Sequence, residues 1–400
     1  MFGIYIHWPF CLSKCIYCDF NSSVLSKKNN DLICFQKQYC ECCKKQLLYF
    51  SKKIQKNIYQ HEITSIYFGG GTPSLLSPDN ISSVLSEINN LFCFSKKCEI
   101  TLEANPTSFE LDKFYQFSDA GINRLSLGVQ SFDDNELLWL GRKHSVEQAI
   151  NAIEKIKNIF SYWSFDLIYG LPKQSLNKWL DELKLALSLR PKHLSLYTLI
   201  VDKKTPLGKL VSSGNIVPKT EDELSIFYDA TNDFIKHACA YKNESEKLKQ
   251  YEVSNYATEG NRSIHNCCYW NSYDYIGIGP MAHGRITYKN EKRYETLCKK
   301  SINNWFADLE NNKNGLSVEK KLTEKEQAEE ILLMGLRICD GIDFADIYKR
   351  FHLDLMKFLN QDELEFFEKN NFLSFKDRVL KLKYSGLKIL NIILEKLLKQ

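Results

Sequence analysis

The sequence predicts an α/β fold of parallel βαβ units followed by a small helical domain. Three observations carry this expectation. Six short runs rich in β-branched and aromatic residues fall within the first 200 positions, and the first five are each followed by a helical apolar pattern. That rhythm belongs to parallel strands joined by crossover helices. The polar and glycine-rich motifs lie just after these runs, along the one rim where α/β folds gather their functional groups. Beyond an Asn/Lys/Glu-rich stretch at 308–320, read as a linker, the pattern turns helical and carries no dense motif. Two layouts satisfy the alternation: an open doubly wound sheet, or a TIM-type barrel that is not fully closed.

Taken in order, Phe-Gly-Ile-Tyr-Ile at 2–6 reads as the first strand. Residues 30–58 carry Leu32, Ile33, Phe35, Leu47, Leu48 and Phe50 on a Lys-rich background and read as a helix. A strand at 63–68 runs straight into Gly69-Gly70-Gly71-Thr72-Pro73-Ser74. The cycle then repeats: helix 79–91 and strand 99–103, helix 109–120 and strand 123–127, helix 145–159 and strand 162–168, helix 176–189 and strand 193–198. After residue 200 the alternation decays, and the charged tract 243–250 reads as a solvated insertion. Leu322-Thr-Glu-Lys-Glu opens a fresh helix with Thr323 and Gln327 near capping positions. The expected division is a core at 1–212, an accessory segment at 213–320 and a helical domain at 321–400.

Composition narrows the class. A formal net charge of +4 spread over 400 residues, with the two signs interspersed, argues against a dedicated nucleic-acid binder. Fourteen cysteines without a charged n-region and apolar h-region ahead of them point to reduced thiols in the cytoplasm rather than a disulfide scaffold. No apolar run approaches the ~20 residues of a membrane span.

The densest chemistry lies in Tyr5-Ile-His7-Trp-Pro9-Phe10-Cys11-Leu-Ser-Lys-Cys15-Ile-Tyr17-Cys18. Cysteines spaced C-x3-C-x2-C can wrap one iron–sulfur cluster, and three thiolates leave one iron of a cubane open to another ligand. Cys40, Cys42 and Cys43 are as dense but sit in a helical pattern without flanking Gly or Pro, so they read as packing. The triple-glycine turn suits a ligand that approaches the backbone, with consecutive N–H groups facing an anion or carboxylate; it also fits an ordinary tight turn. Glu103, at a strand end, can hold an ammonium group, or be a surface carboxylate or helix cap. Arg142 can pair with a ligand carboxylate or be a solvated cation. Asp166, in an apolar strand, can hold ribose hydroxyls as acidic residues do in nucleotide folds.

Read together, the motifs Tyr-x-His-x-Pro-Phe-Cys, Gly-Gly-Gly-Thr-Pro-Ser, Leu-Glu-Ala-Asn-Pro, Gly-Val-Gln-Ser-Phe, Gly-Arg-x-His-Ser and Asp-Leu-Ile-Tyr-Gly-Leu-Pro occur in one order between residues 3 and about 350. In this the chain resembles the oxygen-independent coproporphyrinogen III oxidase family of radical S-adenosylmethionine proteins. The resemblance implies a partly open (β/α)6 TIM-type radical SAM barrel with a small helical C-terminal domain. It implies that Cys11, Cys15 and Cys18 ligate a [4Fe–4S] cluster. It also implies that Tyr5, Gly70, Gly71, Thr72, Glu103, Gln130, Arg142 and Asp166 contact S-adenosyl-L-methionine.

Within that family the chain is similar to the haem chaperone branch. Phe20 stands where the true oxidases carry a further cysteine, and the chain begins ten residues before Cys11 where they carry an extension. His265-Asn266-x-x-Tyr269-Trp270 resembles a motif linked to haem handling. The resemblance makes His265 a candidate haem ligand, with Cys267 and Cys268 beside it; a structural loop histidine is the other reading. Met281 occupies a place where that family usually has glycine. The branch implies haem as a bound cofactor and cargo, delivered to membrane-associated respiratory acceptor proteins, and leaves a homodimer open. The competing expectation is the enzyme itself, which decarboxylates two propionates of coproporphyrinogen III to give protoporphyrinogen IX.

Overall fold

The computed structural model describes residues 1–25, 32–57, 62–107, 111–288 and 293–398. Six strands form its centre: β1 (Phe2–Trp8), β2 (Ile63–Gly70), β3 (Phe94–Ala104), β4 (Arg124–Gln130), β5 (Tyr162–Tyr169) and β6 (His193–Thr198). Each pairs in parallel with the next in chain order. That order decides between the two layouts, because a doubly wound sheet reverses direction at a switch point and this one does not. The strands are buried on both faces, as β1 shows with Phe2, Ile4, Ile6 and Trp8 on one face and Gly3 and His7 on the other, because they line the barrel interior on one side and helices on the other. The barrel is open: among the described residues the two edges of the sheet do not pair.

The crossover helices form where the apolar spacing predicts. The helix Val146–Ile159 starts in a capping box of Ser145 and Gln148 and buries Ala149, Ala152, Ile153 and Ile156, one stripe at helical period. The long first helix, Leu32–Asn57, turns Cys40, Cys42 and Cys43 into the core, so the second cysteine cluster packs. Residues 30, 31 and 58 of that predicted helix, and 109 and 110 of the one predicted at 109–120, lie outside the described residues, and the latter helix is seen as Phe114–Asp119. A short helix at Asp134–Leu140, between β4 and the following crossover helix, has no counterpart in the sequence reading.

The accessory segment extends the same sheet at both edges. On one side β7 (Lys249–Glu252) and β8 (Asn255–Ala257) continue from β6. On the other, β9 (Asp274–Ile278) lies parallel to β1, followed by antiparallel β10 (His283–Thr287), β11 (Arg293–Cys298) and β12 (Leu316–Lys321). Two expectations are corrected here. The stretch 308–320 is no linker: it holds the end of the helix Ile302–Glu310 and most of β12, whose charged side chains suit a sheet edge. The tract 243–250 ends in β7, with Leu248 buried beneath it.

A second apolar cluster, from Ala328 to Leu397, gathers the C-terminal helices around a three-stranded sheet of Ile342–Asp343, Leu373–Lys376 and Val379–Leu382. Its first helix, Glu324–Gly335, is capped by Thr323 with Glu326 in place of the expected Gln327. Met281 adopts φ +65°, the left-handed conformation in which glycine is at home, in the turn before β10. That geometry costs an L-residue about 1–2 kcal/mol, against which glycine loses about 0.5–1 kcal/mol of chain entropy. Met281→Gly is therefore expected to stabilise the protein by about 0.5–1 kcal/mol, seen as a higher urea midpoint at unchanged slope. A lower midpoint would mean that packing of the methionine side chain outweighs the strain.

Candidate functional site

The carboxyl ends of the strands open on a cavity of about 470 Å³ lined by Cys11, Cys15 and Cys18 on one wall. The loop that carries them leaves β1 and is clasped to the end of β2: Gly71 N donates to Trp8 O at 2.7 Å and Thr72 N to Phe10 O at 2.8 Å. A Cβ on Gly71 would run into the Phe10 carbonyl, and one on Gly70 (φ +109°) would lie 2.6 Å from the His7 ring. The glycines are there so that the two chains can touch. The expectation that their N–H groups face a ligand is corrected: Gly70 N donates to Glu103 Oε2 at 3.2 Å, and the next two are spent on the cysteine loop. Gly70, Gly71 and Thr72 still line the cavity.

His7 holds the far end of that loop. Its Nε2 donates to the Asn21 carbonyl at 3.1 Å, which leaves Nδ1 to accept from the Tyr5 hydroxyl at 3.0 Å. Tyr5 therefore supports the loop from behind and does not line the cavity.

Glu103, Gln130, Arg142 and Asp166 do converge on it. Glu103 accepts from the Tyr67 hydroxyl at 2.7 Å as well as from Gly70. Burial pushes its carboxyl up to about 7, with Asp166 adding repulsion and the two hydrogen bonds pulling back. Asp166 is raised by burial to about 6, against hydrogen bonds from Ser195 and Ser126 and the charges of Arg124 and Arg142. Two such carboxyls facing one cavity create a demand for a cation. Arg142 follows the helix Asp134–Leu140, which ends on left-handed Gly141, and donates to Asn105 Oδ1 at 2.5 Å and Gly128 O at 2.6 Å. Its other terminal nitrogen reaches Cys15 Sγ at 3.5 Å. Gln130 takes φ +74° at a register shift between β4 and β5, which turns it toward the cavity.

These residues fit an iron–sulfur cluster and a zwitterionic ligand. The three thiols share one wall, and Cys11 and Cys15 are close enough to Cys18 to push its pKa up by repulsion, beneath the larger effect of burial. Among the described residues no three His, Cys, Asp or Glu side chains converge tightly enough for a single metal ion; a cubane is larger and spreads its ligands. By contrast, Cys40 is pushed up to about 12 and Cys42 to about 11 by burial, which keeps those thiols protonated and poor ligands.

His265 lies elsewhere. The helix Ile264–Trp270 closes the amino-terminal end of the barrel, and its His265 is 1% exposed and does not line the cavity. Both ring nitrogens are engaged, Nδ1 with Ser65 Oγ at 2.9 Å and Nε2 with the Tyr269 hydroxyl at 2.7 Å, and burial lowers its pKa to about 3. Cys267 is half-buried, and Cys268 is buried with its thiol toward Asp274 O at 3.5 Å. The sequence reading overlooked Tyr67 and Asn105. Tyr67 hides in an ordinary β pattern; Asn105 stands inside the Leu-Glu-Ala-Asn-Pro motif, which marks the place without naming the role.

Comparison with known proteins bears on the family and the fold. The model of the Radical SAM superfamily matches residues 5–186, and that of the HemN C-terminal domain matches residues 322–388. The mitochondrial Radical S-adenosyl methionine domain-containing protein 1 of Danio rerio is 33% identical over 99% of this chain and 86% of its own. Heme chaperone HemW of Buchnera aphidicola is 38% identical over 76% of this chain and 75% of its own. HemW of Haemophilus influenzae is 37% identical over 72% and 70%. Coproporphyrinogen III oxidase (HemN) of Escherichia coli superposes with a TM-score of 0.75 over 98% of this chain and 89% of its own, at 19% identity, which speaks for the fold alone. The chain belongs to the radical SAM superfamily, in the HemW branch of the HemN-like proteins. Membership implies a [4Fe–4S] cluster and S-adenosylmethionine.

The clasp generates a prediction. Reconstituted parent protein is expected to hold close to one cluster, and Cys11→Ser, Cys15→Ser or Cys18→Ser to remove it. Gly71→Ala, which touches no thiol, is expected to lower iron content at least severalfold because the cysteine loop must leave β2. Cys42→Ala is expected to cost stability, about 1–2 kcal/mol, but no iron. Iron analysis showing full loading of Gly71→Ala, or loss from Cys42→Ala, would contradict the assignment.

Proposed function

We propose that this chain is a haem chaperone: it binds haem alongside the cluster and S-adenosylmethionine and passes haem to acceptor proteins. The acceptors in this reading are membrane-associated respiratory proteins met from the cytoplasm. No helix among the described residues is long and apolar enough to cross a membrane. The observation that carries the reading is Phe20. It stands two places after the third cysteine, 58% exposed on the cavity wall, where the oxidases place a further thiol. The likeness to proteins called Heme chaperone HemW supports it.

Cys11, Cys15 and Cys18 would hold the cluster, with Arg142 offsetting negative charge beside Cys15. Glu103 would take the amino group of S-adenosylmethionine and Asp166 its ribose hydroxyls. When bound, the cluster and S-adenosylmethionine together supply one-electron chemistry at a sulfonium centre. Axial ligation of haem by His265 would require its bonds to Ser65 and Tyr269 to break, and the imidazole to reach a surface it does not now touch.

Two measurements test the proposal. Haem added to the reconstituted protein is expected to give a saturable Soret change, with transfer to an acceptor apoprotein. Under reducing, anaerobic conditions with coproporphyrinogen III and S-adenosylmethionine, no protoporphyrinogen IX is expected. Steady product formation without a specific Soret change would replace the chaperone by the oxidase.

A further inference from the structure

The segment His265–Trp270 reaches the cavity directly through Asn266, while its His265 stays behind the wall and meets the cavity only through Tyr67. The His265 ring stacks on Tyr67, with centroids 5.0 Å apart and planes inclined by 24°. Tyr67 lines the cavity, and its hydroxyl donates to Glu103 Oε1 at 2.7 Å. Behind the stack the histidine is fixed on every side. Ser65 and Tyr269 take its ring nitrogens, and its own backbone N–H donates to Glu99 Oε1 at 3.1 Å. Glu99 is anchored in turn by Arg124 at 3.4 Å, both side chains being at least 96% buried. The Tyr67 ring also lies close over Gly69, where an added Cβ would come within 2.8 Å of it.

We propose that His265 is a positioning residue for the amino-group end of the cavity: it sets the Tyr67 phenol, and through it the orientation and ionisation of Glu103. The proposal rests on reading the cavity as the S-adenosylmethionine site. A fixed phenolic donor stabilises the carboxylate over the acid, so a loose Tyr67 makes Glu103 a weaker acid. Tyr67, Asp166, Tyr5, Tyr197 and Tyr269 are the titratable groups that act on Glu103. The phenols stay neutral near pH 7, since burial raises all four, and Asp166 is raised only to about 6. The ionisation that changes between pH 6.5 and 8.5 is therefore that of Glu103, at about 7. Its folded value lies above the ordinary carboxylate range, so the anion that receives an amino group gains population as pH rises. His265 takes no part as a charge: burial holds it neutral throughout.

The test uses the reconstituted full chain and S-adenosylmethionine, with affinity read from the change in the reduced cluster's EPR signal. His265→Gln keeps polar atoms near Ser65 and Tyr269 but removes the ring from Tyr67. Losing one well-made hydrogen bond to a carboxylate weakens the acid about tenfold or more, so the variant is expected to bind about fivefold more weakly than the parent at pH 7. The ratio of the two affinities cancels titration of the ligand itself and is expected to fall below about twofold by pH 8.5. His265→Phe restores a ring against Tyr67 and is expected to bind within about twofold of the parent at pH 7. Adding His265→Gln to Tyr67→Phe is expected to change nothing further, because both act through one hydroxyl. Haem binding is expected to persist in His265→Phe.

His265→Gln with the parent's affinity at every pH, or additive with Tyr67→Phe, overturns the inference alone. Loss of the haem Soret change in His265→Phe with S-adenosylmethionine binding intact overturns it in favour of a haem ligand. Failure of the parent to bind S-adenosylmethionine overturns the reading of the cavity and the inference with it. If His265→Gln folds without loading a cluster, the infrared carboxyl band of Glu103 in the ligand-free protein decides. A higher midpoint than the parent's supports the role, and an equal one removes it.

Discussion

Two backbone hydrogen bonds, from Gly71 and Thr72 to the carbonyls of Trp8 and Phe10, hold the cysteine loop against the end of the neighbouring strand. Side chains are excluded there, so the approach is available only to glycine at position 71. The same turn offers the Gly70 N–H to Glu103. One bend of backbone thus fixes the distance between the thiols and the Glu103 carboxylate. Positioning of this kind is most exact when it comes from the scaffold and least exact when it comes from a free loop.

The electrostatics follow from what the bend brings together. Glu103 and Asp166 are held as weak acids by burial, while Arg142 places a cation beside Cys15. The cavity therefore asks for a ligand with a positive end toward the carboxyls and a negative end toward the arginine. An amino acid joined to a nucleoside meets both requirements. Haem carries two propionates but no ammonium group, so it meets the second requirement and not the first.

The parallel core was legible because it is built from local signals. Strands such as 162–169 and 193–198 announce themselves through short runs of aromatic residues, Leu and Ile. The accessory strands were not legible: β9 pairs with β1 across more than 270 positions of sequence, and nothing local encodes that partnership. The strand β12 reads as a solvated tract because most of its residues are exposed at the sheet edge. The helix Asp134–Leu140 is seven residues long, too short to show a period, though Asp133 and Gly141 mark its ends. At the site, residue types were legible and orientation was not. Glycines that invite a ligand turned out to receive a loop, and a histidine flagged for iron turned out to have both nitrogens committed.

The central claim is that three thiolates hold a cluster whose remaining iron is open to the ligand of this cavity. Mössbauer spectroscopy of the reconstituted parent, with only that fourth site enriched in the isotope, measures this directly. Addition of S-adenosylmethionine is expected to shift the isomer shift and quadrupole splitting of that one iron, as nitrogen and oxygen ligands raise its coordination number. An unchanged spectrum at saturating S-adenosylmethionine, or a fourth iron that cannot be exchanged selectively, would contradict the account.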